Sequence, residues 1–187
     1  MADQADGILS AFLRRKRIEL ALPFIKGKVI DIGCGVGKLA EHVEPDDYVG
    51  IDKDIESIYI AKSKYPNHKF YTSEKSEDIK DKFDTVVSLA VVEHVENPLD
   101  FIVFLKSLLT KDGSIVITTP HPRSGLIHKL GSRIGLFSSH AEKEHEELID
   151  IKKMTDIAKQ ANIKVVKNKT FLFGMNQLFV LRKTPNG

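Results

Sequence analysis

Three glycines spaced at every second position, Gly33, Gly35 and Gly37, stand in the stretch Val29-Ile30-Asp31-Ile32-Gly33-Cys34-Gly35-Val36-Gly37, with Asp31 two residues before the first of them. Glycine at such places admits positive φ and lets the backbone come close to a ligand, near the positive end of a following helix. A dinucleotide fingerprint needs glycine at the sixth position counted from Gly33, where Lys38 stands. A Walker-type phosphate loop needs Ser or Thr after the Gly-Lys pair and a glycine five positions earlier, yet Leu39 and Ile32 occupy those places. Both readings are weakened. Asp31 suits a ligand with an ammonium group better than one with a pyrophosphate. A second acid, Asp52, closes the run Tyr48-Val49-Gly50-Ile51-Asp52, about 20 residues beyond the first glycine. A carboxylate there can accept hydrogen bonds from both hydroxyls of a ribose, or it can cap a helix.

These groups must be held by regular elements, and the pattern supplies them in alternation. Apolar spacing predicts a helix over 8–25, broken near Pro23, then a buried strand over 28–32 and a helix over 38–43. Strands over 48–51, 68–72, 83–89 and 114–119 alternate with helices over 55–64 and 98–109, and the last strand follows a turn at 111–113. Parallel neighbours need crossover connections, so this order predicts an α/β fold, a doubly wound and mostly parallel sheet with helices on both faces. Residues 121–147 lose the regularity and read as an excursion over the sheet's edge, followed by a helix over 148–160. Two β-rich runs, 164–173 and 177–182, are separated only by a turn, which predicts an antiparallel pair. With no linker or repeat, the chain of 187 residues reads as one domain, its first 26 residues an entering helix.

Composition narrows the classes further. With 42% hydrophobic and 29% charged residues, neither disorder nor a membrane protein is expected. The 28 basic and 26 acidic residues are dispersed, so no strong field for nucleic acid is implied. The dense run Arg14-Arg15-Lys16-Arg17 reads either as a solvated helix face or as a contact for an anionic substrate, a membrane or RNA. One cysteine, Cys34, fits a reducing compartment. The amino terminus carries Asp3 and Asp6 and lacks a signal-peptide core, and no membrane span is evident, so the cytoplasm is the expected location.

The motifs VIDIGCGVGKLA at 29–40, YVGIDKD at 48–54, FDTVVSLAVVEHVENP at 83–98 and LLTKDGSIVITTPHP at 108–122, in that order, resemble the class I, Rossmann-like, S-adenosylmethionine-dependent methyltransferase family. The similarity runs from about residue 17 to residue 182. It implies that Gly33, Gly35 and Gly37 line the methionine part of the cofactor, with Asp31 near its amino group and Asp52 on its ribose. Ser76, Glu77 and Asp78 would flank the adenine, and Leu89 and Ala90 would close the site through their backbone. Lys75 departs from the acid often found in the family at that place. The family also implies a three-layer α/β/α sandwich on a seven-stranded sheet whose last strand is antiparallel.

Methyl transfer from a sulfonium is an in-line displacement by an already activated donor. The protein's task is mainly to hold acceptor and methyl about 3 Å apart, which can supply about 7–11 kcal/mol at best. A hydroxyl or protonated amine must also lose its proton, and histidine suits that at neutral pH. His94, after the fourth strand, His121, after the fifth, and His145, in the excursion, are the expected bases. Glu93, Arg123 and His140 lie in the same regions. A metal is not expected, because the carboxylate that some relatives place three residues before such a Glu-His pair is Ala90 here. The Asn/Asp-Pro-Pro-aromatic motif of base and amide methylases is replaced by Ser88-Leu89-Ala90-Val91, which disfavours those acceptors; with no appended RNA-binding domain and a short insertion at 121–147, a small-molecule or lipid-like acceptor is expected, methylated on oxygen or nitrogen. The competing readings are a regulatory or scaffolding protein that binds the cofactor without chemistry, and a nicotinamide-dependent oxidoreductase. An oligomer is compatible with the sequence.

Overall fold

The protein is described by a computed structural model that places residues 2–74, 79–122 and 149–184. The order of elements is α1 (Ala2–Ala21), β1 (Val29–Ile32), β2 (Tyr48–Asp52), α2 (Ile55–Lys64), β3 (Lys69–Thr72) and β4 (Phe83–Leu89). There follow α3 (Pro98–Ser107), β5 (Leu109–Pro120), α4 (Ile151–Gln160), β6 (Ile163–Phe171) and β7 (Asn176–Lys183). The seven strands form one sheet in the order β3-β2-β1-β4-β5-β7-β6. Strands β1 to β5 pair in parallel, and β7 runs antiparallel to both its neighbours, β5 and β6. This is the Rossmann-like, doubly wound arrangement, with its switch point between β1 and β4.

Side-chain alternation along the strands divides the core between two faces. Ile30, Ile32, Val86, Ile115, Ile117 and Phe179 point to the face covered by α3 and α4, where they meet Ile102, Leu105, Met154 and Ile157. Val29, Tyr48, Phe70 and Val87 occupy the other face with Ile58 and Ala61 of α2 and Ile18 of α1. Ala21 of α1, fully buried, continues that layer over Val116, Leu178 and Val180. Each of the large side chains contributes about 1.5–3 kcal/mol through burial.

Helix starts follow the sequence closely. Asp54 caps α2 by accepting from the N–H groups of Glu56 and Ser57, Asn97 caps α3 ahead of Pro98, and Asp150 caps α4 through the Lys153 N–H. Helix α1 stops at Ala21, and Pro23 sits in the first positions of a short 3-10 turn, Leu22–Phe24.

Three elements depart most from expectation: helix α1 runs over Ala2–Ala21 rather than 8–25, and two others lie further along the chain. The crossover from β1 to β2 holds no α-helix; Lys38–His42 forms a 3-10 helix and Pro45–Asp47 a second. Pro45 lacks an N–H and would press on the carbonyl four residues back, and Glu44 before it is held extended, so an α-helix cannot run on. Strand β5 begins at Leu109, five residues before the expected start, because Leu109 pairs with Phe83 and pairing resumes at Ser114 with Thr85. The expected turn at 111–113 thus lies within the strand, where its register with β4 shifts.

Strand β6 forms an edge of the sheet and carries exposed Lys164, Lys167 and Lys169 along it. Lysines on an edge discourage pairing with other chains. Among the described residues no helix is long and apolar enough to cross a membrane. Of the expected excursion over 121–147, residues 123–147 lie outside the described residues.

Candidate functional site

All four residues of β1 are buried, as the centre of a parallel sheet requires. One of them is an acid: Asp31 is 3% exposed. The register pairs Val29 with Tyr48 and Asp31 with Gly50, so Tyr48 and Asp31 share a face of the sheet. The Tyr48 hydroxyl donates to Asp31 Oδ2 at 2.9 Å. Burial pushes the Asp31 carboxyl up to about 7; the Tyr48 hydrogen bond opposes that shift and the charge of Asp52 adds to it. A carboxyl poised in this way becomes fully ionised when a cation is brought beside it.

Beyond β1 the chain turns back sharply, with Gly33 at φ 81° and Gly35 at φ 51°. The N–H groups of Gly33 and Cys34 both donate to the Ile51 carbonyl, at 2.8 and 3.0 Å, tying the loop to β2. The glycines do different work. A Cβ on Gly33 would lie 2.3 Å from Val91 Cγ2, and one on Gly37 would lie 2.8 Å from the Phe70 ring. At Gly35 a Cβ would meet nothing within 4 Å. Gly33 and Gly37 make room for the protein's own packing, whereas Gly35 presents bare backbone to open space.

Asp52 holds this loop from the end of β2. Its Oδ2 accepts from the Gly35 N–H at 2.7 Å and its Oδ1 from the Asp54 N–H at 2.9 Å. The cap of α2 is Asp54, two residues on, so Asp52 is not engaged as a helix cap. A carboxylate has about four lone-pair sites, which leaves capacity for further donors.

A cavity of about 290 Å³ opens over the loop. Asp31, Gly33 and Gly35 form one wall, Leu89 and Ala90 another, and Arg14 and Arg17 of α1 overhang it. Ala90 is left-handed at φ 60° and its N–H donates to the Thr118 carbonyl at 2.8 Å. A non-glycine residue held there costs about 1–3 kcal/mol, a strain that clusters at functional sites. Cys34 also lines the cavity, but burial, with the charges of Asp31 and Asp52 adding, pushes its thiol up, so it stays protonated.

The basic run divides on the helix. Arg15 and Lys16 turn to Glu19, at 2.8 and 2.7 Å, while Arg14 and Arg17 face the cavity. Arg17 donates through Nε and Nη2 to Asn176 Oδ1 on β7, at 3.3 and 3.1 Å. Burial lowers the pKa of Arg17, a shift that the charge of Glu93 opposes and that of Arg14 reinforces. Glu93 is 2% exposed, burial raises its pKa, and among the described residues its Oε2 has no hydrogen-bond partner.

The structure therefore brings Asp31, Gly33, Gly35, Leu89 and Ala90 to one cavity, with Asp52 behind Gly35 and Gly37 packed away beneath Phe70. His94 is exposed on a 3-10 turn, Val92–His94, and His121 is half-buried with its N–H donating to the Met175 carbonyl at 2.8 Å. Neither is among the residues lining the cavity. His145, Ser76 and Glu77 lie outside the described residues. Among the described residues no three His, Cys, Asp or Glu side chains gather as a metal site. Tyr48 and Asn176 were not legible as site residues. Tyr48 is tied to the site through strand register and Asn176 through a contact across 159 positions, and a single sequence gives signals for neither.

Comparison with known proteins agrees with this geometry. The ubiquinone biosynthesis O-methyltransferase of Roseobacter denitrificans is 28% identical over 162 residues, covering 81% of this chain and 65% of that protein. The mitochondrial ubiquinone biosynthesis O-methyltransferase of Dictyostelium discoideum is 34% identical over 121 residues, 52% of this chain and 36% of its own length. The chain thus spans less than two thirds of the length of either relative. Among solved structures, magnesium protoporphyrin IX methyltransferase from Synechocystis, with S-adenosylhomocysteine bound, superposes with a TM-score of 0.64 at 18% identity, covering 98% of this chain and 83% of that one. A family model described as "Methyltransferase domain" matches residues 5–168. With that match laid over the glycine loop, both acids and the Rossmann-like sheet, the chain belongs to the methyltransferase-domain family, on the class I S-adenosylmethionine-dependent fold.

Proposed function

We propose that this chain binds S-adenosylmethionine and transfers its methyl group to a small-molecule acceptor, on oxygen. The observation that carries this reading is the bare backbone of Gly35, open to the cavity and flanked by Asp31 and Asp52. In this reading Asp31 faces the cofactor's ammonium group, whose charge draws its carboxyl into the ionised form. The spare lone pairs of Asp52 accept the ribose hydroxyls, and its hold on Gly35 keeps sugar and tail in register. The guanidinium of Arg14 suits the cofactor's carboxylate. Leu89 and Ala90 wall the far side, where the pinned left-handed turn fixes the backbone. Ser76 and Glu77 remain the proposed adenine contacts, and Gly33 and Gly37 shape the loop.

The chemistry supplied by the bound cofactor is a methyl on a sulfonium, which departs as a neutral thioether. What the chain contributes is placement, by a rigid cradle on the β1–β2 side and by the ends of β4 and β5 on the other. His94, His121 and His145 are the proposed acceptors of the acceptor's proton, all three belonging to segments at the carboxyl ends of β4 and β5 or following them. Transfer to oxygen is favoured because the relatives above are named as O-methyltransferases. We place the protein in the cytoplasm, as one domain of 187 residues.

Calorimetry tests the reading directly. S-adenosylhomocysteine should bind with micromolar affinity, and Asp52→Ala should weaken it by about 10- to 100-fold, the loss of hydrogen bonds to a charged group. Binding of equal strength by the variant would refute the assignment. Formation of S-adenosylhomocysteine from S-adenosylmethionine in the presence of a panel of phenols then tests transfer itself.

A further inference from the structure

Helix α1 carries two guanidiniums, three positions apart, onto one cavity. Their neighbours in the basic run are paired on the outer face, and Lys38 at the cavity's rim is paired with Glu41 at 2.8 Å. Among the described residues no carboxylate lies within 4 Å of Arg14 or of Arg17. The cofactor proposed above has one carboxylate. Arg14 is exposed and solvated, whereas Arg17 is half-buried, so of the two it is Arg17 whose charge is costly to leave without a paired anion.

The position of Arg17 says which part of the cavity it serves. Arg17 is tethered to Asn176, the first residue of β7, and Asn176 pairs with Pro120 at the carboxyl end of β5. That lies on the β4–β5–β7 side of the switch point, away from the β1–β2 side where Asp31 and Asp52 stand. The helix beneath it is firmly seated, with Ile18 and Ala21 buried. Asn176 Oδ1 takes Nε and Nη2 together, which occupies one edge of the fork. The remaining N–H donors have the planar geometry that oxyanions accept in pairs. Glu93 attracts Arg17 from a distance but makes no ion pair with it.

Resting on the cofactor reading, we propose that Arg17, held by Asn176, is the anion-binding residue of the acceptor subsite. The acceptor is accordingly a small molecule that carries a carboxylate or a phosphate in addition to the group that is methylated. The sequence left open whether the basic run meets an anionic substrate; its division on the helix assigns that contact to Arg17 alone.

The test uses the protein saturated with S-adenosylhomocysteine and titrated by calorimetry with benzoate, with phenyl phosphate and with uncharged benzamide. At least one of the two anions should bind about tenfold or more tightly than benzamide, and whichever is preferred tells carboxylate from phosphate. Arg17→Gln should remove that preference, and Arg17→Lys should restore part of it by returning the charge without the fork. A second arm compares S-adenosylhomocysteine with methylthioadenosine, which lacks the amino-acid tail. Arg14→Gln should shrink the preference for the first compound, and Arg17→Gln should preserve it. Anions that bind no better than benzamide would overturn the proposal, as would loss of the tail preference in Arg17→Gln, since Arg17 would then hold the cofactor's own carboxylate. Should S-adenosylhomocysteine fail to bind the parent protein, the cofactor reading falls first and this inference with it.

Discussion

On its β1–β2 side the cavity is made of consecutive backbone: a loop tied to the neighbouring strand, one buried acid before it and another behind it. On its β4–β5–β7 side it is assembled from remote pieces, the first helix, the turn at Ala90 and the start of β7, and the tie from Arg17 to Asn176 spans 159 positions. The first side grips with N–H groups and carboxylates whose places are fixed by two adjacent strands. The second depends on side chains that meet only when the whole sheet has formed. A constant cofactor suits the first kind of construction, and an acceptor that varies among relatives of one fold suits the second.

The sharpest way to break this contrast is at Gly33, where the two sides touch through Val91. Alanine there meets both a left-handed backbone and a Val91 methyl 2.3 Å from the new Cβ. The combined cost should be about 2–5 kcal/mol of folding stability, read by urea unfolding. A Gly33→Ala protein as stable as the parent would mean that the loop is not clamped between the two sides.

Next in size is the loss of about 10- to 100-fold in S-adenosylhomocysteine affinity expected of Asp52→Ala, against little loss of benzoate binding if the sides are independent.

A smaller effect sharpens the role of Asp31. Its carboxyl is raised in the folded state to about 7, so the native protein binds the proton more tightly than the unfolded chain. Its contribution to stability is therefore full below the ordinary Asp range and lost as pH rises to about 7. Affinity for a cationic tail runs the other way, growing as the carboxyl ionises. S-adenosylhomocysteine binding should strengthen several-fold between about pH 6 and pH 8, and Asp31→Asn should flatten that profile. Arg15→Ala is the smallest change. Its pair with Glu19 is exposed, so the urea midpoint should stay where it is and neither ligand should notice.

The same contrast explains what could be read from sequence. Strand β4 and helix α2 fall on the expected limits, since apolar spacing and a capping Asp54 are local signals. The segment 38–43 was read as an α-helix because periodicity is blind to the effect of Pro45 on the turn before it. Strand β5 was read short because Lys111-Asp112-Gly113 looks like a turn between elements, and only pairing with Phe83 shows that the strand begins before it. In the site, Gly33, Gly35, Asp31 and Asp52 were legible from spacing. Spacing could not say that Gly37 packs against Phe70 while Gly35 faces open space. Tyr48, Arg17 and Asn176 depend on strand register and on helix placement over the sheet, which one sequence does not carry.

The insertion of β7 between β5 and β6 has a consequence for synthesis. Strand β6 leaves the ribosome with no partner, because its neighbour in the finished sheet is the segment still to be made. For the time the ribosome takes over the 159 positions from Arg17 to Asn176, roughly 10–30 s, the nascent protein carries an unclosed sheet and an arginine without its tether. Once β6 is made, its lysines guard an edge that is bare on both sides until β7 follows, and the β4–β5–β7 side of the cavity is completed only when that strand slides home.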